Sequence, residues 1–463
     1  MTSKLHLGTT RALNGQKPKP GEESRLLLPA RDLVTHGVVL GMTGSGKTGL
    51  VLVMVEEALR AGVPVLCIDV KGDLPNLLLS LPSFSPEAVA PWLEPSGNGE
   101  SSSLAEKVAQ EREHGLRSHG IDEAALLGYA QRSFVRVVTP GSDAGELLHL
   151  LSSLERPTAR WAEDPEAARA TLSAAVSLVL RLLGRDADPA RSKEHVLLSV
   201  LAERRLAAGQ PADIPSLLAD VAAPPITTIG ALTVDEFLSK RARKELAASL
   251  NNLLAAPMFR SWREGSSLDV AAWMRPVNGR TPATVLSVAH LDDDERELVL
   301  GLVLEEVLSW VRGLPGSREL RALIVFDEVF GFLPPHPQNP PTKRPLVALM
   351  KQARAFGVGV LVATQNPMDL DYRALSNAGL WCLGRLQTDA DRERVIEGLA
   401  NEANAGMAQP ELRTLLKRLA PRWFFVRNVH AAREGVLLQP RWAMSLMRGP
   451  MTRAEIRRAR KVG

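Results

Sequence analysis

Short, nearly continuous apolar runs alternate with helix-length segments in two separate parts of the chain. The runs lie at 37–40, 63–69, 283–289, 322–328 and 358–365. Such continuous apolar character is typical of strands that are buried on both faces of a parallel sheet. Helical segments follow several of these strands along the chain. The pattern therefore predicts an α/β fold in which helices cover both faces of a doubly wound sheet.

The segment between these two parts has a different pattern. Ala- and Leu-rich stretches with helical periodicity, broken by Pro and Gly, fill most of it and predict a mostly helical insertion. Within it, the run 134–141 reads as one strand that can extend the sheet. We divide the chain into an N-terminal arm (1–36), a core in two pieces (37–81 and 280–430), the insertion (82–279) and a basic C-terminal extension (431–463).

Composition excludes several classes of protein. The 463 residues are 45% hydrophobic and 23% charged, as in ordinary soluble domains. Cys67 and Cys382 lie in apolar runs without metal-binding spacing, so we expect buried thiols in a reducing cytoplasm. The N-terminus lacks the apolar region of a signal peptide, and the longest apolar helical stretch contains Arg181 and is too short for a bilayer. We expect a cytoplasmic protein with no membrane span.

Positive charge, with a net value of +4, is concentrated at two places. Lys343 and Arg344 stand in a proline-dense segment, 331–345, that we expect to be an exposed loop. The C-terminus carries a second group: Arg448, Arg453, Arg457, Arg458, Arg460 and Lys461. Such groups can contact nucleic-acid phosphates without reading sequence. A solvated basic surface that binds anions nonspecifically explains them equally well.

The residues between the first core strand and the helix after it carry the most specific motif. They are Gly41, Met42, Thr43, Gly44, Ser45, Gly46, Lys47 and Thr48, followed by Gly49, and they fit the phosphate-loop pattern G-x-x-x-x-G-K-[ST]. The glycines let the backbone fold around phosphates, whose charge faces N–H groups and the helix dipole. Lys47 reaches the β and γ oxygens, and Thr48 is a ligand for Mg²⁺. The motif therefore predicts a nucleoside triphosphate site.

Two acids end a later apolar strand in the form of a Walker B element. Asp327 can hold Mg²⁺ through water, and Glu328 can orient the water that attacks the γ-phosphate. Gln365 ends the following strand, at the edge of the sheet where that phosphate is expected.

Two further groups of charged residues each allow two interpretations. Asp69, Lys71 and Asp73 follow the second strand, where they either line the site or form an ordinary strand-end turn. The acidic run 292–295 invites a metal interpretation, but acids at a helix start favour a cap.

Taken together, these motifs resemble those of the FtsK/HerA superfamily of ring-forming P-loop motor ATPases, and within it the bacterial HerA-like ATP-binding proteins. The resemblance covers 33–80 and 280–430. It rests on Thr35-His36-Gly37, Ile68-Asp69-Val70-Lys71-Gly72-Asp73, Phe326-Asp327-Glu328, Ala353-Arg354-Ala355-Phe356-Gly357-Val358-Gly359, Ala363-Thr364-Gln365-Asn366-Pro367 and Gly384-Arg385-Leu386-Gln387-Thr388. It implies a RecA-like core of the type with an additional strand and a catalytic glutamate.

The resemblance also implies roles and partners. Gln365 would sense the γ-phosphate, and Arg354 would be an arginine finger that reaches a neighbouring subunit, with Arg385, Arg392 and Arg394 as rivals for that role. The cofactors would be ATP and Mg²⁺. The assembly would be a homo-oligomer, most simply a hexamer, that acts as a translocase or helicase on double-stranded DNA without sequence preference.

Two other functions stay open. A secretion or conjugation ATPase of this type would move protein or couple to a membrane channel, and a nucleotide-stabilised ring could be a scaffold for a partner nuclease or effector. Stimulation of ATP turnover by double-stranded DNA would favour the motor, whereas an intact Glu328 argues against a purely structural nucleotide.

Overall fold

A computed structural model of the protein shows one eleven-stranded mixed sheet with helices on both faces. It describes residues 3–11, 24–93, 100–155, 161, 164–367, 370–371, 375, 378–400, 409–431 and 435–461. Residues 1–2 and 12–23 of the predicted N-terminal arm and 432–434 and 462–463 of the predicted C-terminal extension lie outside the described residues.

The strands, in chain order, are β1 (Lys4–Arg11), β2 (Ser24–Pro29), β3 (Gly37–Leu40), β4 (Val65–Asp69), β5 (Ser133–Val138), β6 (Leu148–His149), β7 (Thr228–Ile229), β8 (Leu232–Thr233), β9 (Ser266–Ser267), β10 (Thr281–Ser287), β11 (Ser317–Asp327), β12 (Phe356–Thr364), β13 (Leu380–Leu383), β14 (Phe424–Asn428) and β15 (Val436–Pro440).

The longer helices are α1 (Lys47–Arg60), α2 (Glu100–Arg117), α3 (Glu123–Arg132), α4 (Pro165–Leu182), α5 (Lys193–Ala207), α6 (Ile214–Ala222), α7 (Lys240–Ala255), α8 (Asp293–Arg312), α9 (Lys343–Gln352), α10 (Asp389–Ala400), α11 (Gln409–Arg418) and α12 (Arg453–Ala459). One-turn helices lie at Pro86–Val89, Ser152–Glu155, Val234–Phe237, Arg260–Arg263 and Val270–Trp273, and 3-10 turns lie at Ala30–Thr35, Leu74–Leu78, Ala90–Trp92, Pro257–Phe259 and Ala353–Ala355.

The order of strands in the large sheet is β2-β1-β15-β14-β13-β3-β12-β11-β4-β10-β5. Every pair from β13 to β5 is parallel, and every pair from β13 outward to β2 is antiparallel. β12 lies between β3, which leads into the phosphate loop, and β11, which ends at Asp327. This inserted strand is the additional strand of the predicted RecA-like class, so the fold class is confirmed.

The sheet is buried on both faces, as its apolar runs predicted. In β4, Val65 and Cys67 pack into one hydrophobic cluster with α1, while Leu66 and Ile68 pack into a second cluster with α8 and helices of the insertion. Successive side chains of a strand point to opposite faces, so a strand between two layers of helices is apolar at every position. Both cysteines are buried free thiols, as expected.

Most of the segment between β4 and β10 is helical, and one strand within it joins the main sheet. β5 pairs in parallel with β10 at the edge of the sheet, as the run 134–141 suggested, although the strand ends at Val138. In the parts of the chain that the structure describes, no helix is long and apolar enough to cross a membrane.

The sheet continues into both terminal regions. β1 pairs with β2 on one side and with β15 on the other, and β15 pairs with β14. The C-terminal basic group lies against the body of the protein: Arg457 forms an ion pair with Asp143, and the Arg458 guanidinium carbon lies 4.4 Å from the centre of the Trp92 ring. Several of its charges therefore have partners within the chain.

The acidic run before α8 is a helix cap. The Asp292 side chain accepts the Glu295 N–H at 2.7 Å, and the Glu295 side chain accepts the Asp292 N–H at 3.3 Å. This reciprocal pair is a capping box, which satisfies backbone donors that the first helical turn leaves unpaired. The cap interpretation of these acids is confirmed.

Candidate nucleotide site

The phosphate loop is a tight turn between β3 and α1. Gly44 and Gly46 have φ angles of 77° and 90°, in the left-handed region that side chains other than glycine rarely adopt. A Cβ atom on Gly46 would also lie 3.0 Å from Cγ of Arg422. Lys47 is the first residue of α1, so the helix begins where the motif requires it.

Residues at or next to the ends of three strands brace this loop through its backbone. The Gly41 N–H donates to the Thr364 carbonyl at 3.3 Å, and the Met42 N–H donates to the Arg385 carbonyl at 2.9 Å. On the other side, the Arg422 N–H donates to the Ser45 carbonyl at 2.8 Å. The loop is therefore positioned by the ends of β12 and β13 and by the residues before β14.

Glu328 lies at the centre of the site and contacts both of its lysines. Lys47 Nζ donates to Glu328 Oε2 at 3.2 Å, and Lys71 Nζ donates to the same oxygen at 2.6 Å. The other carboxylate oxygen accepts the Thr364 hydroxyl at 2.9 Å and the Gln365 N–H at 3.3 Å. The structure thus brings the phosphate-loop lysine and the Walker B glutamate into direct contact.

The backbone and charge of Glu328 are both unusual. Its φ is 61°, a strained conformation that is enriched at functional sites. Burial raises the pKa of its carboxyl group, but Lys47, Lys71 and the Thr364 hydrogen bond outweigh that effect and the pKa lies below its usual value. Glu328 is therefore ionised at neutral pH, as a residue that polarises water must be.

Asp327 offers a free oxygen for a metal or its water. Its Oδ1 is buried and has no hydrogen-bond partner within the described structure. Burial raises its pKa to about 6, against the opposing charge of Lys47. A buried carboxylate oxygen without a donor is a suitable ligand for Mg²⁺ or for a water bound to it, and Thr48 in the first turn of α1 supplies a hydroxyl.

These residues do not form a complete metal site by themselves. Among the residues that the structure describes, no group of three or more His, Cys, Asp or Glu could hold a metal ion. Mg²⁺ in nucleotide sites keeps several waters and takes other oxygens from the phosphates. The donor set of Thr48 and Asp327 fits that pattern.

The charged residues of the turn after β4 divide between the two predicted roles, which are to shape the turn and to line the site. Asp69 is buried, and its Oδ1 accepts the N–H groups of Gly72, Asp73 and Leu74 at 3.0, 3.1 and 3.3 Å. It therefore shapes the turn that presents Lys71 to Glu328. Burial raises the pKa of the half-buried Asp73, while the nearby Lys71 and Lys47 lower it.

Gln365 lies at the tip of the loop. Its Oε1 accepts the Thr43 hydroxyl at 2.6 Å, and both residues are at the solvent-facing rim. β12 thus delivers Thr364 and Gln365 to the same edge of the sheet as the loop.

The arginine candidates occupy different ends of the sheet. Arg354 precedes the nine-residue strand β12, whereas Gln365 follows it, so Arg354 lies roughly 30 Å from the loop at a rise of about 3.3 Å per residue. This distance excludes an ion pair between Arg354 and Glu328 of the same chain, which would be the alternative to a role in a neighbouring subunit. Arg385 is exposed and its backbone contacts the loop directly, whereas Arg392 is buried and bonded to the Leu386 carbonyl.

The predicted loop cations, Lys343 and Arg344, are paired within the chain. Lys343 belongs to α9, is only 13% exposed and lies 3.6 Å from Asp371. Arg344 lies 3.1 Å from Glu305. The expectation that both stand on a free loop is wrong, because α9 begins two residues before the proline that was taken to end the loop.

Three residues near the loop were given no role in the sequence analysis. Thr364 binds Glu328, Arg422 binds the loop, and Trp442 lies against Arg422. Thr364 stands in the A-T-Q motif and could have been found there. Arg422 and Trp442 reach the loop only through the pairing of β14 and β15, which no local pattern indicates.

A family model and solved structures of other proteins both match this chain. The family model described as "Helicase HerA-like C-terminal" matches residues 15–80, which include the phosphate loop and the turn after β4. No curated protein matches the chain significantly. VirB4 of Thermoanaerobacter pseudethanolicus is similar in structure, with a TM-score of 0.52 at 14% identity, over 95% of this chain and 97% of that chain.

A second solved structure is similar to the same extent. The bacterial conjugative coupling protein TrwBdeltaN70, in a trigonal form with sulphate, matches with a TM-score of 0.50 at 13% identity, over 97% of this chain and 98% of that chain. At this identity the two likenesses show a shared fold over nearly the whole length of the chain.

Proposed function

We propose that this chain, a P-loop ATPase of the FtsK/HerA type, hydrolyses ATP within a homo-oligomeric ring and thereby moves along double-stranded DNA. The observation that supports hydrolysis best is the contact between Lys47 and Glu328, with Gln365 at the tip of the same loop. It unites a phosphate-binding cation, a water-orienting carboxylate and a polar sensor at one edge of the sheet.

The contacts suggest how the residues act in turn. A triphosphate in the loop would compete with Glu328 for the ammonium group of Lys47. Glu328 would remain held by Lys71 at one oxygen and by Thr364 at the other. Its position would then allow it to orient and polarise the attacking water. Mg²⁺ held by Thr48 and Asp327 would neutralise charge on the phosphate oxygens.

The position of Arg354 supports the proposal that the chain forms a ring. It lines a cleft of about 1080 Å³ together with Arg31, Arg318 and Lys351, and it is exposed at the edge of the sheet opposite its own loop. In this position it could complete a site only on another subunit. We propose that Arg354 stabilises charge on the γ-phosphate of a neighbour, in a hexamer, and that Arg385 contacts the nucleotide of its own subunit.

DNA as the translocated substrate rests on the FtsK/HerA likeness. The internal pairing of Lys343 and Arg344 weakens one predicted contact surface. A second candidate is an ATPase of conjugation or secretion, which moves protein or couples to a channel; the fold shared with VirB4 and with a conjugative coupling protein favours it. A scaffold for a nuclease or effector has no support from either comparison.

The test measures ATP turnover with no nucleic acid, with duplex DNA, with single-stranded DNA and with RNA, while light scattering follows the oligomer mass. We expect turnover by a ring-sized species and stimulation by duplex DNA above the other three conditions. Turnover that no nucleic acid changes would favour the conjugation or secretion function instead. The absence of any turnover would contradict the ATPase proposal itself.

A further inference from the structure

A cavity of about 440 Å³ lies next to the phosphate loop. Gly46 of the loop and Gly49 of α1 form one wall, and Val108 of α2 forms another. The remaining walls include Trp442 and Met447, from the segment that follows β15. The volume lies within the range of small-molecule sites, roughly 300–1,000 Å³.

Buried ion pairs hold the wall after β15 against α1. The Arg441 guanidinium donates to Glu56 Oε2 and Glu57 Oε1, each at 2.9 Å, and all three side chains are almost fully buried. Glu56 also accepts the N–H groups of Met444 and Ser445 at 2.9 and 2.8 Å. The wall is therefore a fixed part of the fold.

Several of the groups that line the cavity are flat, apolar or cationic, and the exposed Glu111 of α2 adds one carboxylate. Trp442 packs so closely on α2 that a Cβ on Gly115 would lie 2.5 Å from its ring, and the Arg422 guanidinium carbon lies 5.0 Å from the centre of that ring. Met447 is 46% exposed, and its sulfur lies 3.7 Å from the Cβ position of Gly49. Aromatic rings and guanidinium planes are the surfaces on which nucleobases stack.

Arg112 also lines the cavity, and most of its donor groups already have hydrogen-bond acceptors. The Nη atoms of Arg112 donate to the carbonyls of Leu81, Ser83 and Met444, each at 2.8 Å. Its Nε is buried and has no acceptor among the described residues. Arg112 is thus a fixed part of the cavity wall.

We propose that the cavity binds the purine base and ribose of the nucleoside triphosphate whose phosphates occupy the loop. Glu328 and Gln365 mark the γ-phosphate end of the loop, so the nucleoside must leave from the other end. There Gly46 and Gly49 open into the cavity, and Trp442, Arg422 and Met447 supply surfaces for the base. The proposal rests on the proposed nucleotide binding of this chain and assigns the recognition of the base.

The test compares two ligands that share the phosphates and differ in the nucleoside. Binding of Mg²⁺-ATP and of Mg²⁺-tripolyphosphate is measured by calorimetry for the parent and for Val108→Trp, in which an indole fills part of the cavity. We expect ATP affinity to fall about tenfold or more and tripolyphosphate affinity to stay within about twofold, since stacking of one base has an effect of this size.

Two further variants keep the result decisive. Trp442→Ala removes the ring without filling the cavity and should weaken ATP selectively as well. Leu127→Trp introduces the same side chain at a 47% exposed position of α3 away from the cavity and should change neither affinity. Thermal unfolding confirms that each variant is folded.

The outcomes separate the two proposals. A parent that binds ATP and tripolyphosphate equally, or variants that retain the affinity of the parent for ATP, would overturn the base site and leave the ATPase intact. Equal loss of both ligands in Val108→Trp and Trp442→Ala would also overturn it, because the defect would then lie in the loop. A parent that binds neither ligand would contradict both proposals.

Discussion

At the scale of single residues, the buried environment of Asp69 determines how tightly its carboxyl group holds a proton. Its carboxylate is completely buried, and besides its three backbone donors it accepts the Ser287 hydroxyl at 2.8 Å. Burial nevertheless raises the pKa to about 7. The folded protein therefore binds a proton on Asp69 more tightly than the unfolded chain does.

This difference predicts a pH-dependent stability. The stabilisation from the proton on Asp69 is complete below the unfolded pKa of 3.8 and is lost as the pH rises through the folded pKa of about 7. Asp69→Asn keeps an oxygen acceptor for the turn and removes the charge. We expect the melting temperature of the parent, minus that of the variant, to fall between pH 5 and pH 8. A difference that stays constant across this range would show that Asp69 does not titrate as described.

Some site residues belong to short sequence motifs, whereas the roles of others depend on contacts that form only in the folded protein. Lys47, Thr48, Asp327, Glu328 and Gln365 could be named from the sequence, because each belongs to a short motif at the end of a strand. That Lys71 lines the site could be suggested but not decided, since the turn after β4 fits a structural role equally well, and its contact with Glu328 appears only in the structure. The motifs fix the type of each group, and only the folded sheet fixes its contacts.

At the scale of elements, the segment after β15 is the least expected part of the molecule. Arg441 joins it to α1 through Glu56 and Glu57, and its Nε also donates to the His6 carbonyl at 3.2 Å. One buried guanidinium thus connects β1, α1 and the C-terminal region. Its removal would leave the buried Glu56 without its paired cation and Glu57 with Arg60 as its remaining partner.

We expect Arg441→Ala to lower the free energy of unfolding by about 3–5 kcal/mol, the usual cost of breaking a buried ion pair. The matched control is Arg241→Ala, because Arg241 is 91% exposed and pairs with Glu245 within one helix. That change should stay within about 0.5 kcal/mol. Chemical denaturation measures both, and similar small losses would mean that the buried network adds little stability.

The strands that could be predicted have a local apolar pattern. The strands that could not be predicted depend on pairing between distant parts of the chain. β3, β4, β10, β11 and β12 are recognisable because burial on both faces makes them continuously apolar. β1 and β15 contain polar residues and become strands by pairing with each other, as in the register of Gly8 with Pro440. Such a pairing across the whole chain leaves little trace in either segment.

At the scale of the whole molecule, the predicted FtsK/HerA resemblance and the P-loop ATPase fold are confirmed, while the ring stays a prediction. Arg354 faces away from its own loop in a cluster with Arg31, Arg318 and Lys351. A guanidinium that a neighbour supplies to the γ-phosphate can be worth about 10³–10⁵ in rate. The position of Arg354 therefore predicts that the active enzyme is an oligomer.

We expect Arg354→Ala and Lys47→Ala each to be inactive alone and to recover part of the ATPase activity when mixed under subunit exchange. The recovery would come from interfaces that pair an intact loop with an intact Arg354. As a control, Lys47→Ala mixed with Glu328→Gln should recover nothing, because both defects lie in the same half of the site. No recovery in the first mixture, despite proven exchange, would place the function of Arg354 elsewhere.

The central claim is that Lys47 and Glu328 form a hydrolytic site, and ATP turnover at saturating nucleotide, measured together with ATP binding, tests it most directly. Lys47→Ala should lose binding, whereas Glu328→Gln should bind ATP as the parent does and turn it over about 10²–10⁴-fold more slowly, the usual contribution of a general base. Glu319→Gln, at an exposed position of β11, should behave as the parent. A Glu328→Gln protein with the turnover rate of the parent would contradict the account.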